Sequence, residues 1–164
     1  MVLSDFTKQE YSTQDFLKLI ERRIRKEIRQ NDLISIKKSY FLSEKKSLQS
    51  NVLTYFLKQI FEERINLEGT ISISTDYLEL FIEKRLSVFL EAKPPQELFD
   101  KTITPLRSIT EHEIKEVAKI LNIAGEFIPV HNEIIFDLQE KYSQSKPSFL
   151  KSFSNIQELK KEDE

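Results

Sequence analysis

The first candidate for chemistry is a polar loop, Ser43-Glu44-Lys45-Lys46-Ser47, between a β-prone run and an amphipathic segment. A loop leading from a strand into a helix offers backbone amides and the positive end of the helix dipole, which together favour phosphates. Lys45 and Lys46 could bind an anion there. The loop contains no glycine, however, and the carboxylate of Glu44 would oppose a phosphate. The composition therefore favours a solvated loop with no cofactor over an anion site.

The two histidines are the next candidates. His112 and His131 are far apart in the sequence, and neither has the cysteine or clustered carboxylates that would make a metal site specific. Glu111 and Glu113 flank His112, which would suit acid–base catalysis. The same residues follow Thr110 with the spacing of a capping box, and acidic side chains stabilise a helix N-terminus. We expect the capping role, and we assign no catalytic and no metal-binding residue.

The most basic element is a helix predicted over residues 13–30. Its apolar residues recur every four positions: Phe16, Ile20, Ile24 and Ile28. Its other faces carry six basic residues against two acidic ones, which are Lys18, Arg22, Arg23, Arg25, Lys26 and Arg29 against Glu21 and Glu27. Such residues could contact RNA phosphates through counterion release, without reading the base sequence. The candidates for RNA binding are Arg22, Arg25, Lys26 and Arg29, and a solvated helix face is the equal alternative.

Helical and strand-like patterns alternate along the rest of the chain. They predict a strand at 39–42, a helix at 48–63, a break at 66–69, a strand at 70–74 and helices at 76–92, 110–121 and about 132–142. Strands separated by helices of this length usually form a parallel sheet, because a parallel connection needs a crossover. The fold class is therefore α/β. Residues 1–156 are expected to form one domain, and the charged residues 157–164 a disordered tail.

Composition excludes several classes of chemistry. The chain of 164 residues contains no cysteine, which removes disulfides, thiolate zinc sites, iron–sulfur ligation and cysteine nucleophiles. A formal net charge of −2 argues against a uniformly basic nucleic-acid-coating protein. No apolar run is long enough to cross a membrane, and the first residues do not resemble a signal peptide. These features predict a cytoplasmic location.

In this order, the elements resemble a shortened PP-loop protein of the ATP-pyrophosphatase type, and in particular the enzymes that 2-thiolate the wobble uridine of tRNA. The first similar segment starts at Arg25-Lys26-Glu27-Ile28-Arg29 and continues through Leu57. The second is Thr104-Pro105-Leu106-Arg107-Ser108-Ile109-Thr110-Glu111-His112-Glu113-Ile114, and the third is Phe136-Asp137-Leu138-Gln139-Glu140-Lys141-Tyr142 with its following Pro147. The resemblance implies a truncated parallel sheet flanked by helices, a PP-loop/HUP-like core, with a helical C-terminal part.

The departures from the family pattern bear on function. Active members carry Ser-Gly-Gly-x-Asp-Ser after the first strand, and here neither Ser43 nor Ser50 is accompanied by the glycines or the Asp. The family's Thr-Gly-His-Asn is represented at best by Ser74-Thr75-Asp76-Tyr77. The family's cysteines are also missing. The chain is therefore similar to the degenerate second subunit of the two-subunit thiolation complex, which implies a non-catalytic role beside a catalytic PP-loop partner.

A non-catalytic subunit acts through contact, so a sticky face is expected. A shortened sheet leaves a strand edge or an apolar helix face uncovered, and aromatic and arginine residues dominate interface energetics. The candidates for a heterodimer interface are Tyr77, Phe81, Phe89 and Arg107. Two other functions compete with this interpretation. One is a stand-alone RNA-binding module using the basic helix 13–30, and the other is a nucleotide-dependent enzyme with a diverged loop.

Overall fold

A computed structural model of the chain describes residues 1–4, 7–30, 34–90, 102–130, 148 and 151–152, without the side chains of residues 89 and 90. Strands and helices alternate along these residues, as predicted. Their bounds are β1 Val2–Ser4, β2 Gln9–Tyr11, α1 Thr13–Gln30, β3 Ser39–Leu42, α2 Leu48–Ile60, β4 Asn66–Ile73, α3 Leu78–Leu90 and α4 Glu111–Leu121. In this part of the chain, no helix is both long and apolar enough to span a membrane.

The chain divides into two compact units. The first contains Met1–Tyr77 and Thr102–Ile128, and the second contains Leu78–Lys101 and Pro129–Glu164. The first unit holds the four strands with α1, α2 and α4, whereas α3 belongs to the second. The expectation of one domain over 1–156 stays a prediction, and the expected tail and the helix predicted at about 132–142 lie outside the described residues.

One of the two sheets of the first unit, formed by β3 and β4, is parallel, which confirms the predicted α/β class. β3 and β4 pair in register from Tyr40 with Ile71 to Leu42 with Ile73. The amide of Ser74 donates to the carbonyl of Ile103 at 2.8 Å, which adds a short parallel bridge. α2 packs against both α1 and α4. These contacts build a short parallel sheet with helices beside it.

The predicted break at 66–69 is wrong, because these residues form the first half of β4. Ser39 pairs with Asn66 and the next residue of β3 pairs with Ile71, so β4 carries an irregularity at this point. A Cβ atom at Gly69 would lie 2.1 Å from the carbonyl carbon of Ser39. The glycine therefore permits close approach of two backbones, and a sequence pattern cannot distinguish this use from a turn.

Local signals placed the starts of α1, α2 and α4 well. Ser12 caps α1, since its Oγ atom accepts from the amide of Asp15 at 3.2 Å. α1 has the predicted bounds, and its apolar residues are fully or almost fully buried: Phe16, Ile20, Ile24 and Ile28. α2 ends three residues earlier than predicted, and positive φ angles follow at Glu62 and Glu63. α3 starts at Leu78, because the preceding residues form a turn in which the Ser74 hydroxyl accepts from the Asp76 amide.

An antiparallel hairpin precedes α1 and had no counterpart in the sequence prediction. β1 pairs with β2 from Val2 with Tyr11 to Ser4 with Gln9. Each strand has only three residues, too few for an alternating pattern to show in the sequence. The hairpin packs against α1.

Candidate functional site

The loop of residues 43–47 lies at the carboxyl end of β3, the edge of a parallel sheet at which ligands commonly bind. Its first residue is tied to the end of the neighbouring strand. The amide of Ser43 donates to the carbonyl of Ile73 at 2.9 Å, and the Ser43 hydroxyl accepts from the amide of Thr75 at 3.3 Å. The amides of Ser43 and Thr75, which border this edge, are therefore already bound within the protein.

The N-terminus of α2 is also capped from within the chain. Ser47 adopts an extended backbone, and its hydroxyl accepts from the amide of Ser50 at 3.1 Å. The amide of Leu48 donates to the carbonyl of Glu126 at 2.8 Å. The first amides of a helix have no partner inside the helix, and this lack is what makes a helix N-terminus attractive to anions. Here the amides of Leu48 and Ser50 both have protein acceptors.

The carbonyl of Glu126, which accepts from the Leu48 amide, belongs to residues 124–128. This segment runs along the start of α2, and we call it the α2 strap. Asn51 Nδ2 donates to the carbonyl of Ala124 at 2.7 Å. The amide group of Gln49 holds Ile128 from both sides, with Nε2 donating to its carbonyl at 2.7 Å and Oε1 accepting from its amide at 3.3 Å. A Cβ atom at Gly125 would lie 2.7 Å from the Leu48 amide nitrogen, so the two backbones are in close contact.

The charged side chains of the loop are exposed. Glu44, Lys45 and Lys46 all lie at the surface, whereas Ser47 is buried. Lys46 has a φ angle of 66°, which lies in the left-handed region that favours glycine. The three charged side chains of this loop therefore face solvent.

The basic residues of α1 divide between two faces. Successive helix positions are about 100° apart, which places Lys18, Arg22, Arg25, Lys26 and Arg29 on the side opposite the buried apolar residues. Four of the five are exposed, and Arg25 is partly exposed and pairs with Glu21 at 2.7 Å. We call these five residues the basic face. All four predicted tRNA-binding candidates belong to it.

Arg23 lies on the inner face and takes part in a buried network. Its Nη1 atom is 2.9 Å from both carboxylate oxygens of Glu113, whose side chain is fully buried. The same carboxylate accepts from the Ser4 hydroxyl at 2.6 Å and from the Thr110 amide at 3.1 Å. Thr110 in turn accepts from the Glu113 amide, which confirms the predicted capping box. The network therefore joins α1, the hairpin and the start of α4.

The sequence missed this network, although a signal was present. Arg23 and Glu27 are four positions apart and fall within the apolar stripe of α1 rather than outside it. Charged residues on a buried helix face require partners. The partner of Glu27 is Arg107, with Nε 2.6 Å from Oε2.

The predicted partner-interface residues are mostly engaged within the chain. Tyr77 is fully buried and donates its hydroxyl to the carbonyl of Ile128 at 3.2 Å. Phe81 is 6% exposed, and the guanidinium carbon of Arg85 is 5.1 Å from its ring centroid. Arg107 pairs with Glu27, and the Phe89 side chain lies outside the described residues. Their role at an interface stays a prediction.

The histidines show no metal site in the part that the structure describes. His112 is exposed on α4, and His131 lies outside the described residues. Across the described ranges, no group of three or more His, Cys, Asp or Glu side chains is placed to hold a metal ion.

Comparisons with known proteins give a similar fold but no family by sequence. No protein-family model matches the chain. No curated protein matches it at a significant score. Among solved structures, the fold is similar to that of the U34-tRNA thiolase NcsA from Methanococcus maripaludis with its [4Fe-4S] cluster. The TM-score is 0.77 and the sequence identity is 12%, over 96% of this chain and 85% of that chain. The similarity shows that this chain has a PP-loop/HUP-like α/β fold.

Proposed function

We propose that this chain is a non-catalytic subunit that supports a PP-loop enzyme in the 2-thiolation of the tRNA wobble uridine. The observation that carries the proposal is the α2 strap. Its Glu126 carbonyl binds the amide of Leu48, at the helix start where a phosphate would otherwise find free donors. The overall fold resembles that of a U34-tRNA thiolase, and in this chain the amides of Leu48 and Ser50 at the start of α2 are bound by protein acceptors.

The composition of the chain supports the same conclusion. Residues 43–47 contain neither the glycines that let a backbone approach phosphates nor an Asp that could hold magnesium. The chain has no cysteine to bind an iron–sulfur cluster or to carry sulfur. Several independent catalytic requirements would have to be replaced at once for this chain to perform thiolation alone.

The proposed partner is a catalytic PP-loop enzyme, bound as a heterodimer. Tyr77, Phe81, Phe89 and Arg107 are the interface residues suggested by the sequence. Because Tyr77 and Arg107 already bind groups of this chain, substitutions there would disturb its own packing as well as any dimer. Association is therefore better tested with the unmodified chain than with these variants.

Two measurements test the proposal. Calorimetry with magnesium and ATP should show no binding by this chain, while a catalytic PP-loop enzyme measured in parallel should bind. Affinity purification of the tagged full chain from its native cells should recover a cysteine-containing PP-loop protein, and ultracentrifugation of the two purified proteins should show a heterodimer. Micromolar ATP affinity would support a nucleotide-dependent enzyme, and a chain that stays monomeric beside that partner, with and without tRNA, would overturn the subunit proposal.

A stand-alone RNA-binding module is the second candidate function. The observation that favours it is the basic face of α1, on which Lys18, Arg22, Lys26 and Arg29 are exposed. Recovery of RNA without a PP-loop protein in the same purification would support this candidate.

A further inference from the structure

We propose that the basic face of α1 is a binding site for the phosphate backbone of double-stranded RNA, recognised by shape and charge without base contacts. The choice of RNA over other polyanions rests on the proposed function. The assignment of the surface itself rests on the geometry and charge of α1.

The basic face forms a straight row. Lys18, Arg22 and Arg29 lie within an arc of about 40° around the helix axis, with Arg25 and Lys26 on either side of them. The row covers eleven helical steps, or about 16 Å along the axis. Cations that are spaced along a rod in this way can meet successive phosphates of a rigid backbone, which a scattered set of lysines cannot do.

The cations of this row are available for a ligand. Within the described residues, Lys18, Arg22, Lys26 and Arg29 form no ion pair with an acidic side chain. Only Arg25 is paired, with the partly exposed Glu21. Unpaired basic side chains contribute fully to counterion release when they meet phosphates.

Two ion pairs on the inner face of α1 hold this helix in place. On its inner face, Arg23 binds the buried Glu113, and Glu27 binds Arg107. These two ion pairs fix the rotation of α1 about its own axis, so the outward direction of the basic face is fixed as well. A surface that is organised before binding loses less entropy when a ligand arrives.

The chemistry of the row selects among polyanions. The outward positions 14, 15, 18, 21, 22, 25, 26 and 29 hold only Gln, Asp, Lys, Glu and Arg, so this face offers no aromatic ring on which the bases of a single strand could stack. A membrane-surface helix would insert its apolar face into lipid, but Phe16, Ile20 and Ile24 are fully buried in the protein. Double-stranded RNA is recognised mainly through phosphates and shape, which is what a purely cationic row can provide.

The test measures binding of the full chain to an RNA duplex of about 16 base pairs by fluorescence anisotropy at several salt concentrations. The variant Arg22→Gln/Lys26→Gln/Arg29→Gln removes three charges from the basic face. The matched control, Lys37→Gln/Lys38→Gln/Lys151→Gln, removes three charges from exposed lysines elsewhere that form no ion pair within the described residues. Circular dichroism checks that both variants are folded.

We expect the first variant to weaken duplex binding at least about tenfold at 0.1 M salt and to flatten the salt dependence by about one unit per lost phosphate contact. The control should bind within about twofold of the wild type, and two duplexes of different sequence should bind equally. Equal weakening by both variants, tighter binding of the single strand, or no binding by the wild type would overturn the proposal. If the first variant no longer recovers the partner protein but binds the duplex as tightly as the wild type does, the proposal is also overturned, because the basic face would then be a protein interface. Partner recovery tests the proposed function separately.

Discussion

The Nε atom of Arg107 lies 2.6 Å from the Oε2 atom of Glu27, and the two side chains are only 15% and 11% exposed. This pair joins α1 to the turn that precedes α4, across 80 residues of sequence. The sequence suggested Arg107 as a candidate for a partner interface. The structure supplies a carboxylate from within the chain, so the arginine stabilises the fold that carries the basic face.

The Glu27–Arg107 pair should show strong coupling in a double-mutant cycle. Glu27→Ala and Arg107→Ala each leave one buried charge without its partner, so each should lower the free energy of unfolding by about 3 kcal/mol. The double variant should be less destabilised than the sum by about 1 to 3 kcal/mol. Urea unfolding of the four proteins measures the coupling. A cycle on the exposed pair of Glu62 and Arg64 serves as the control and should give less than about 0.5 kcal/mol. Equal coupling in both cycles would contradict the prediction.

Glu113 should be among the most sensitive positions of α4. Glu113→Ala removes one half of the capping box and leaves the charge of Arg23 without its carboxylate, which should cost about 3 to 5 kcal/mol. The matched control is Glu116→Ala on the same helix, whose carboxylate is 3.8 Å from the exposed Lys119. It should cost less than about 1 kcal/mol. The shift in the urea midpoint of each variant relative to the wild type measures its loss of stability. Similar midpoints for the two variants would show that the buried network contributes little.

The α2 strap should be sensitive to a single methyl group. In Gly125→Ala, the new Cβ atom would lie 2.7 Å from the amide nitrogen of Leu48, so the strap or the helix start must move. We expect a loss of about 1 to 3 kcal/mol and faster hydrogen exchange at the Leu48 amide. Ala124→Ser changes the neighbouring exposed residue and should leave exchange at Leu48 as in the wild type. Unchanged exchange in Gly125→Ala would mean that the strap does not protect this amide.

Gly69 should tolerate no side chain. A Cβ atom there would lie 2.1 Å from the backbone of Ser39, and backbone atoms cannot turn aside as the end of a long side chain can. Gly69→Ala should therefore disrupt the pairing of β3 with β4 and lower the unfolding midpoint strongly. Thr70→Ala, at the exposed neighbouring position, should have a small effect. The comparison is made by thermal unfolding followed by circular dichroism, and equal midpoints would be incompatible with the backbone contact.

The sequence predicted those features that depend on nearby residues. The bounds of α1, the strand at 39–42 and the capping box at Thr110 follow from periodicity and from contacts within one helical turn. The missed features depend on distant partners. Arg23 finds Glu113 at a separation of 90 residues, and Gln49 finds Ile128 at a separation of 79. Nothing in the local pattern around either member of such a pair specifies the other.

The occupied amides at the start of α2 depend on tertiary contacts that composition does not reveal. The lack of glycine in residues 43–47 suggested that no phosphate binds there. The sequence could not show that the Glu126 carbonyl accepts from the Leu48 amide. The strap follows α4 in the chain, so this contact depends on the packing of α4 against α2.

The α2 strap would compete with any anion for the amide of Leu48. A phosphate approaching the Leu48 amide would first have to displace the carbonyl of Glu126 and with it the contacts of Gln49 and Asn51. The apparent affinity of such a ligand is its intrinsic affinity multiplied by the fraction of molecules in which the strap is detached. The strap makes four hydrogen bonds to the start of α2, and at about 1 kcal/mol each they would keep that fraction near one in a thousand. The start of α2 would therefore bind a phosphate compound about a thousandfold more weakly than the same helix start with its strap detached.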